Sequence, residues 1–163
     1  MSSPPRIRLR RPRAGDLGRV VTLHGELYRR EFGYDHRFEA LVAGVVAEFG
    51  ERFDPRRERG WIAEMNGEVA GSVFLVRKSP TVAQLRLLII DPKARGLGLG
   101  RRLTRACIAF ARKKRYRKIV LWTQSHLGAA RAIYQAEGFV LTSREKHLSF
   151  GKRLVGETWA LAL

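Results

Sequence analysis

"IIDPKARGLGLGRRLTRACIAFARKKRY", residues 89–116, runs an apolar strand end through a proline turn and three spaced glycines into a basic amphipathic helix. Glycine loses more backbone entropy on ordering than any other residue, so a helix opened on glycines implies something that must come close to the backbone. Behind them, Leu99, Leu103, Ala106, Cys107 and Phe110 share one helical face, and Arg and Lys occupy the other. The first turn of a helix presents backbone N–H groups with no intrahelical partner, at the positive end of the helix dipole. Strand, glycine turn and helix together describe a phosphate cradle. Two familiar forms of it fail. A P-loop needs Lys and Ser or Thr after its last glycine, and Gly100 is followed by Arg101 and Arg102. A dinucleotide fingerprint needs a wider last spacing than Gly96, Gly98, Gly100 and an acidic residue after the next strand, which is missing.

Outward from this stretch the chain alternates strand and helix signals. "RIRLRR" (Arg6 to Arg11) alternates Ile7 and Leu9 with arginines and reads as a half-buried strand. Asp16 is the expected N-cap of a first helix carrying Leu17, Val20, Val21, Leu23, Leu27 and Tyr28, ended by Gly33. A second helix starts near Asp35 and gives way before Pro55. Asn66-Gly67, between two alternating runs, is a strong hairpin signal. "TVAQLRLLIID" is nearly continuous in apolar residues, so the expectation is a mid-sheet strand buried on both faces. "KIVLWT" reads as another buried strand, and "HLGAARAIYQAEGF" as a short helix closed by Gly138. "FVLTSREKHLSF" and "ETWALAL" finish as strands around an irregular "GKRLVG". The order is strand, helix, helix, three strands, helix, strand, helix, two strands: an α/β (α+β) chain with a mixed sheet.

Length and composition bound the rest. A chain of 163 residues suits one domain, residues 1–163, with a sizeable core. No apolar run is long enough to span a bilayer, and the basic N-terminus lacks the apolar centre of a secretory signal. One cysteine allows no internal disulfide, and four scattered histidines show no ligand spacing, so no metal is expected. A cytoplasmic location follows as the expectation. Thirty-two Lys and Arg against fifteen Asp and Glu give a formal charge of +17, which concentrates anions of every kind.

Arg95-Gly96-Leu97-Gly98-Leu99-Gly100 resembles the Arg/Gln-x-x-Gly-x-Gly/Ala segment of GNAT-superfamily N-acetyltransferases. "AARAIYQAEGF" resembles their second signature, and the element order is theirs over nearly the whole chain. The segments "FEALVA", "LWT" and the "HLSFGKRLVG" stretch are similar to acetyltransferase domains fused behind MarR-type regulators, here in free-standing form. The resemblance implies a GNAT fold, with a mixed, mostly antiparallel sheet of about seven strands and about four flanking helices. It implies acetyl-CoA as co-substrate and direct transfer of its acetyl group to a primary amine on a small molecule or peptide. Leu88, Ile89 and Ile90 would present backbone to pantetheine. Gly96, Leu97, Gly98, Leu99, Gly100 and Arg101 would hold the pyrophosphate, with Arg95 or Arg101 adding charge. Tyr134 would protonate the leaving thiolate.

The base matches less well. Gln84 stands where many family members carry Glu, and Leu127 where they carry Asn ahead of the tyrosine. Glutamine cannot take a proton, so the base is Glu31, Asp35, Glu64, His147 or a relayed water. The resemblance walls the acceptor site with Tyr28, Glu31, Phe32 and Tyr34 of the first helix region, the "HLSFGKRLVG" loop and Trp122. A homodimer through the last strand is compatible with these features. The rival reading is a nucleic-acid-associated protein. It rests on the arginines of residues 6–13 and on "RKKRYRK", where Tyr116 is interleaved with cations, although no RNA-stacking signature is visible. A third keeps the fold and acetyl-CoA binding with weak or no catalysis.

Overall fold

Asn66 and Gly67 both take positive φ, 53° and 84°, as a two-residue hairpin with the right-handed strand twist requires. That hairpin joins β2 (Arg59–Met65) to β3 (Glu68–Arg77) and begins a seven-stranded sheet. In the computed structural model, which describes residues 3–163, the other elements are β1 (Ile7–Arg10), α1 (Asp16–Phe32) and α2 (His36–Arg52). β4 (Val82–Ile90), α3 (Leu99–Lys113), β5 (Lys118–Gln124), α4 (Gly128–Ala136), β6 (Val140–Ser149) and β7 (Lys152–Ala162) follow. The sheet order is β1-β2-β3-β4-β5-β7-β6, and only the β4/β5 pair is parallel.

Side-chain alternation gives the sheet two apolar faces. Ile62 and Phe74 pack with Val20, Val46 and Phe49 under α1 and α2. Trp61, Ala63, Val73 and Leu75 point the other way, into a larger cluster with Leu99, Leu103, Cys107 and Phe110 of α3. Cys107 is fully buried there, and burial pushes its thiol pKa up, so it fills space.

β4 differs from the continuous buried strand expected. Its register against β3 slips between Ser72 and Phe74, and Leu87 takes a φ of 57°. One extra residue in a strand reverses which face the following side chains occupy. Ala83 and Leu85 before the bulge, and Leu88 and Ile90 after it, all pack with the α3 cluster. The nearly continuous apolar run of the sequence therefore comes from two opposite phases joined at a bulge. Gln84 and Arg86 face the α1/α2 side, and both are only partly buried.

Three further expectations change. Asp16 is not the N-cap of α1. Gly15 occupies that position, while the Asp16 carboxylate accepts from the Arg13 amide at 2.7 Å and pairs with Arg10 at 2.6 Å. The "GKRLVG" stretch is not irregular. Phe150 and Gly151 make a tight turn with φ of 57° and 77°, and β7 starts at Lys152. β5 is not buried along its whole length, because Trp122 is 47% exposed. Tyr116 is no stacking platform: it is 3% exposed, its hydroxyl donates to the Arg57 carbonyl, and the Arg57 guanidinium covers its ring. Arg10 is likewise held inside, between Asp16 and Glu64.

Candidate active site

β4 and β5 pair only where Val82, Ala83 and Gln84 meet Lys118, Ile119 and Val120. Beyond that point the strands diverge, and Leu85 to Ile90 have no β5 partner. Two cavities open at the divergence. They share Tyr28, Leu88, Leu127 and Ala130 as walls, so they are two halves of one cleft.

The larger half, about 570 Å³, lies against the start of α3. Gly96 and Gly98 hold φ of 78° and 73°, and a Cβ on either would meet nothing within 4 Å. The left-handed backbone there needs glycine and faces open space. The amides of Leu99, Gly100 and Arg101 head α3, where no intrahelical acceptor exists. Gly100 does something different. A Cβ there would lie 2.7 Å from Ile133 Cδ1, so this glycine lets α4 pack against α3. Leu88, Ile89, Ile90, Arg95, Gly96, Gly98, Leu99, Gly100 and Arg101 all line this half, whereas Leu97 points outward and is 43% exposed. Glu31 and Phe32, which the resemblance sets on the acceptor wall, also line this half. Glu31 Oε1 is 2.7 Å from Arg95, and Arg101 pairs with Glu137 at 3.3 Å. An anionic ligand here meets arginines already held in place.

The smaller half, about 330 Å³, lies between the α1/α2 corner and the open strand ends. Tyr28, Tyr34, Phe38, Trp122, Tyr134 and Phe150 give it aromatic walls. The Phe150 turn is docked there, with its carbonyl accepting from the Asp35 amide at 3.1 Å and its ring on Tyr34. Tyr134 projects from α4, 5% exposed, and burial pushes its phenol pKa well above the ordinary value. Its hydroxyl therefore stays protonated across neutral pH. Gln84 and Arg86 come from β4, and Arg86 is the only formally charged side chain among the lining residues.

Other candidate bases stand elsewhere. His147 lines neither half of the cleft. It sits behind Trp122, with Nε2 2.9 Å from Gln124 Oε1 and Nδ1 2.8 Å from Ser149 Oγ. Glu64 is occupied by Arg10, and Asp35 by Arg37. The histidines that do reach the cleft are His24 and His126. His24 Nδ1 donates to the Val20 carbonyl at 2.8 Å, and burial pushes its pKa down to about 4. His126 Nε2 lies 2.6 Å from Tyr34 Oη, and burial lowers its pKa as well. Both rings are neutral at pH 7. The readable signal for Arg86 was a lone arginine in an apolar strand, two residues past Gln84 on the same face. His24 carried none, because a histidine on an apolar helix face looks like packing.

Comparison with known proteins agrees with this architecture. Residues 24–139 match the acetyltransferase (GNAT) family. N-acetyltransferase family 8 member 2 of Rattus norvegicus is 35% identical over 101 residues, 59% of this chain and 44% of that protein. Mycothiol acetyltransferase of Amycolatopsis mediterranei is 33% identical over 122 residues, 67% of this chain and 40% of that protein. The chain thus spans less than half the length of these relatives. An N-acetyltransferase structure from Staphylococcus aureus superposes with a TM-score of 0.78 at 18% identity, covering 96% of this chain and 98% of that one. A Salmonella typhimurium structure with its cofactor acetyl-CoA gives 0.75 at 18% identity, covering 96% and 94%. These two likenesses speak for the fold, while the match over more than half the sequence speaks for descent. The chain belongs to the acetyltransferase (GNAT) family.

Proposed function

We propose that this chain transfers the acetyl group of acetyl-CoA directly to a primary amine, with Tyr134 as general acid. The observation that carries the reading is the divergence of β4 from β5 between an open glycine-headed helix and a buried, protonated tyrosine. The α3 amides and Arg95 would take the pyrophosphate. The β5-facing edge of β4 beyond Gln84, which has no strand partner on that side, would pair with pantetheine and set the thioester at the mouth of the smaller cavity. The amine nitrogen attacks the carbonyl carbon from that cavity, and a β4 N–H receives the developing oxyanion. As the tetrahedral carbon collapses, the C–S bond breaks, its electron pair goes to sulfur, and the Tyr134 hydroxyl gives the thiolate its proton. The amine's own proton leaves to water held against the free β4 carbonyls, because no carboxylate lines the acceptor cavity. Glu31 and His147 act outside that step in this reading, the first by holding Arg95 and the second by backing Trp122 and Gln124. The likeness to MarR-fused acetyltransferase domains belongs to the same proposal.

The test is a thiol-release assay with acetyl-CoA and a panel of amines, run on wild type and Tyr134→Phe. The substitution is expected to lower kcat by about 10²- to 10⁴-fold with little change in acetyl-CoA affinity, the usual yield of a positioned acid. An unchanged kcat would return Tyr134 to a packing role.

A further inference from the structure

Among the described residues, Arg86 is the one partly buried arginine with no ion pair, no side-chain hydrogen bond and no aromatic ring against its guanidinium. Other arginines that are not fully exposed are each matched. Arg10 meets Asp16, Arg131 meets Glu157, Arg57 donates to the Pro80 and Lys114 carbonyls, and the Arg59 guanidinium lies 4.7 Å over the Phe110 ring. Arg86 makes no ion pair and no side-chain hydrogen bond among the described residues. Burial lowers its pKa against the raising effect of Glu48 on α2, and although Arg86 also borders a second cavity that Glu48, Asp54 and Glu58 line, it contacts none of these carboxylates. Arg86 borders the cavity where the acceptor amine would sit, and that cavity has no carboxylate of its own. A ligand that fills the cavity removes the partly buried guanidinium further from water, which is costly unless that ligand brings a counter-charge. A polyamine or a bare lysine side chain would bring a second positive charge toward Arg86.

We propose that Arg86 is the anchor for a carboxylate on the acceptor, so the amine acetylated by this chain is of amino-acid type. The inference rests on the acetyl-transfer reading above and names its substrate class. A guanidinium offers a fork of N–H donors that matches a carboxylate at two points, which fixes orientation as well as charge. Gln84, on the same face of β4, flanks Arg86 toward the closed end of the wedge. A carboxylate held at Arg86 would turn the neighbouring amine toward the diverging strands.

The experiment compares each amino acid with its own amide, phenylalanine with phenylalaninamide and leucine with leucinamide, in the thiol-release assay. The amide's amine is the less basic of the pair and so the more often neutral at pH 7, which favours the amide wherever the carboxylate goes unrecognised. The inference expects the free acid to win in kcat/KM by about 10- to 100-fold, carried by KM, as one charge-assisted contact allows. It expects Arg86→Gln to collapse that ratio toward one, and Arg86→Lys, which keeps charge without the fork, to fall between. Equal turnover of acid and amide, or a preference for the amide, overturns it. A protein that binds acetyl-CoA in calorimetry but acetylates neither member of any pair also overturns the carboxylate anchor. Failure to bind acetyl-CoA would bring down the acetyl-transfer reading beneath it.

Discussion

His24 shows how one side chain ties the acceptor cavity to the stability of the fold. Its folded pKa of about 4 lies below the ordinary 6.5, because burial disfavours the imidazolium more than the Val20 carbonyl favours it. Between those values the unfolded chain binds the extra proton, so stability rises with pH there and is lost as the solution is acidified. Over that window His24 is expected to cost about 3 kcal/mol, read as a falling urea midpoint from pH 6.5 to pH 4. His24→Phe, which cannot titrate, should flatten that dependence, and an unchanged slope would assign it to other groups. The residues most visible in the sequence were those whose chemistry shows in spacing: Gly96, Gly98, Gly100 and Tyr134. Gly100 was legible as a position but not as a job, since its closeness to Ile133 comes from a helix that follows much later in the chain. Arg86 and His24 gain their meaning only from what surrounds them.

At the scale of elements, β1 is attached to the rest by charge as well as by its ladder. The Arg10 guanidinium lies 2.6 Å from Asp16 on α1 and 2.9 Å from Glu64 on β2, and all three side chains are mostly buried. Asp16 is held below the usual carboxylate range by its hydrogen bond with Arg10, against the opposing effect of burial. Arg10→Ala would strand two carboxylates, a loss of about 3 to 5 kcal/mol by analogy with broken buried pairs. Urea denaturation at pH 7 measures it, and a loss under about 1 kcal/mol would mean that water reaches the carboxylates. Element order and type were largely legible, because hairpin, helix caps and alternation are local signals. The β4 bulge was not, because an apolar run hides its own change of phase. The start of β7 was missed because Phe150 is a bulky residue in a turn position that usually goes to glycine or asparagine, held by packing on Tyr34 and Phe38.

For the whole molecule the question is what a formal charge of +17 does. Much of the acidic complement is already engaged with arginine, as in Glu157 with Arg131 and Arg144, and Glu137 with Arg101 and Arg105. The remaining cations form a field that draws phosphates toward the protein, and salt screens such a field over about 8 Å at physiological strength. A shaped cradle of backbone amides differs from a field in how it responds to salt. The wedge between β4 and β5 depends on where strand pairing stops, which no single stretch of sequence states. The most direct measurement is therefore a calorimetric titration with acetyl-CoA at low and at physiological salt. One-to-one binding that weakens only modestly with salt is the predicted result, since the backbone cradle and the open β4 edge persist when the field is screened. Binding that vanishes at physiological salt would contradict the account, leaving the glycines without a ligand and the charge as a surface that attracts phosphates of any kind.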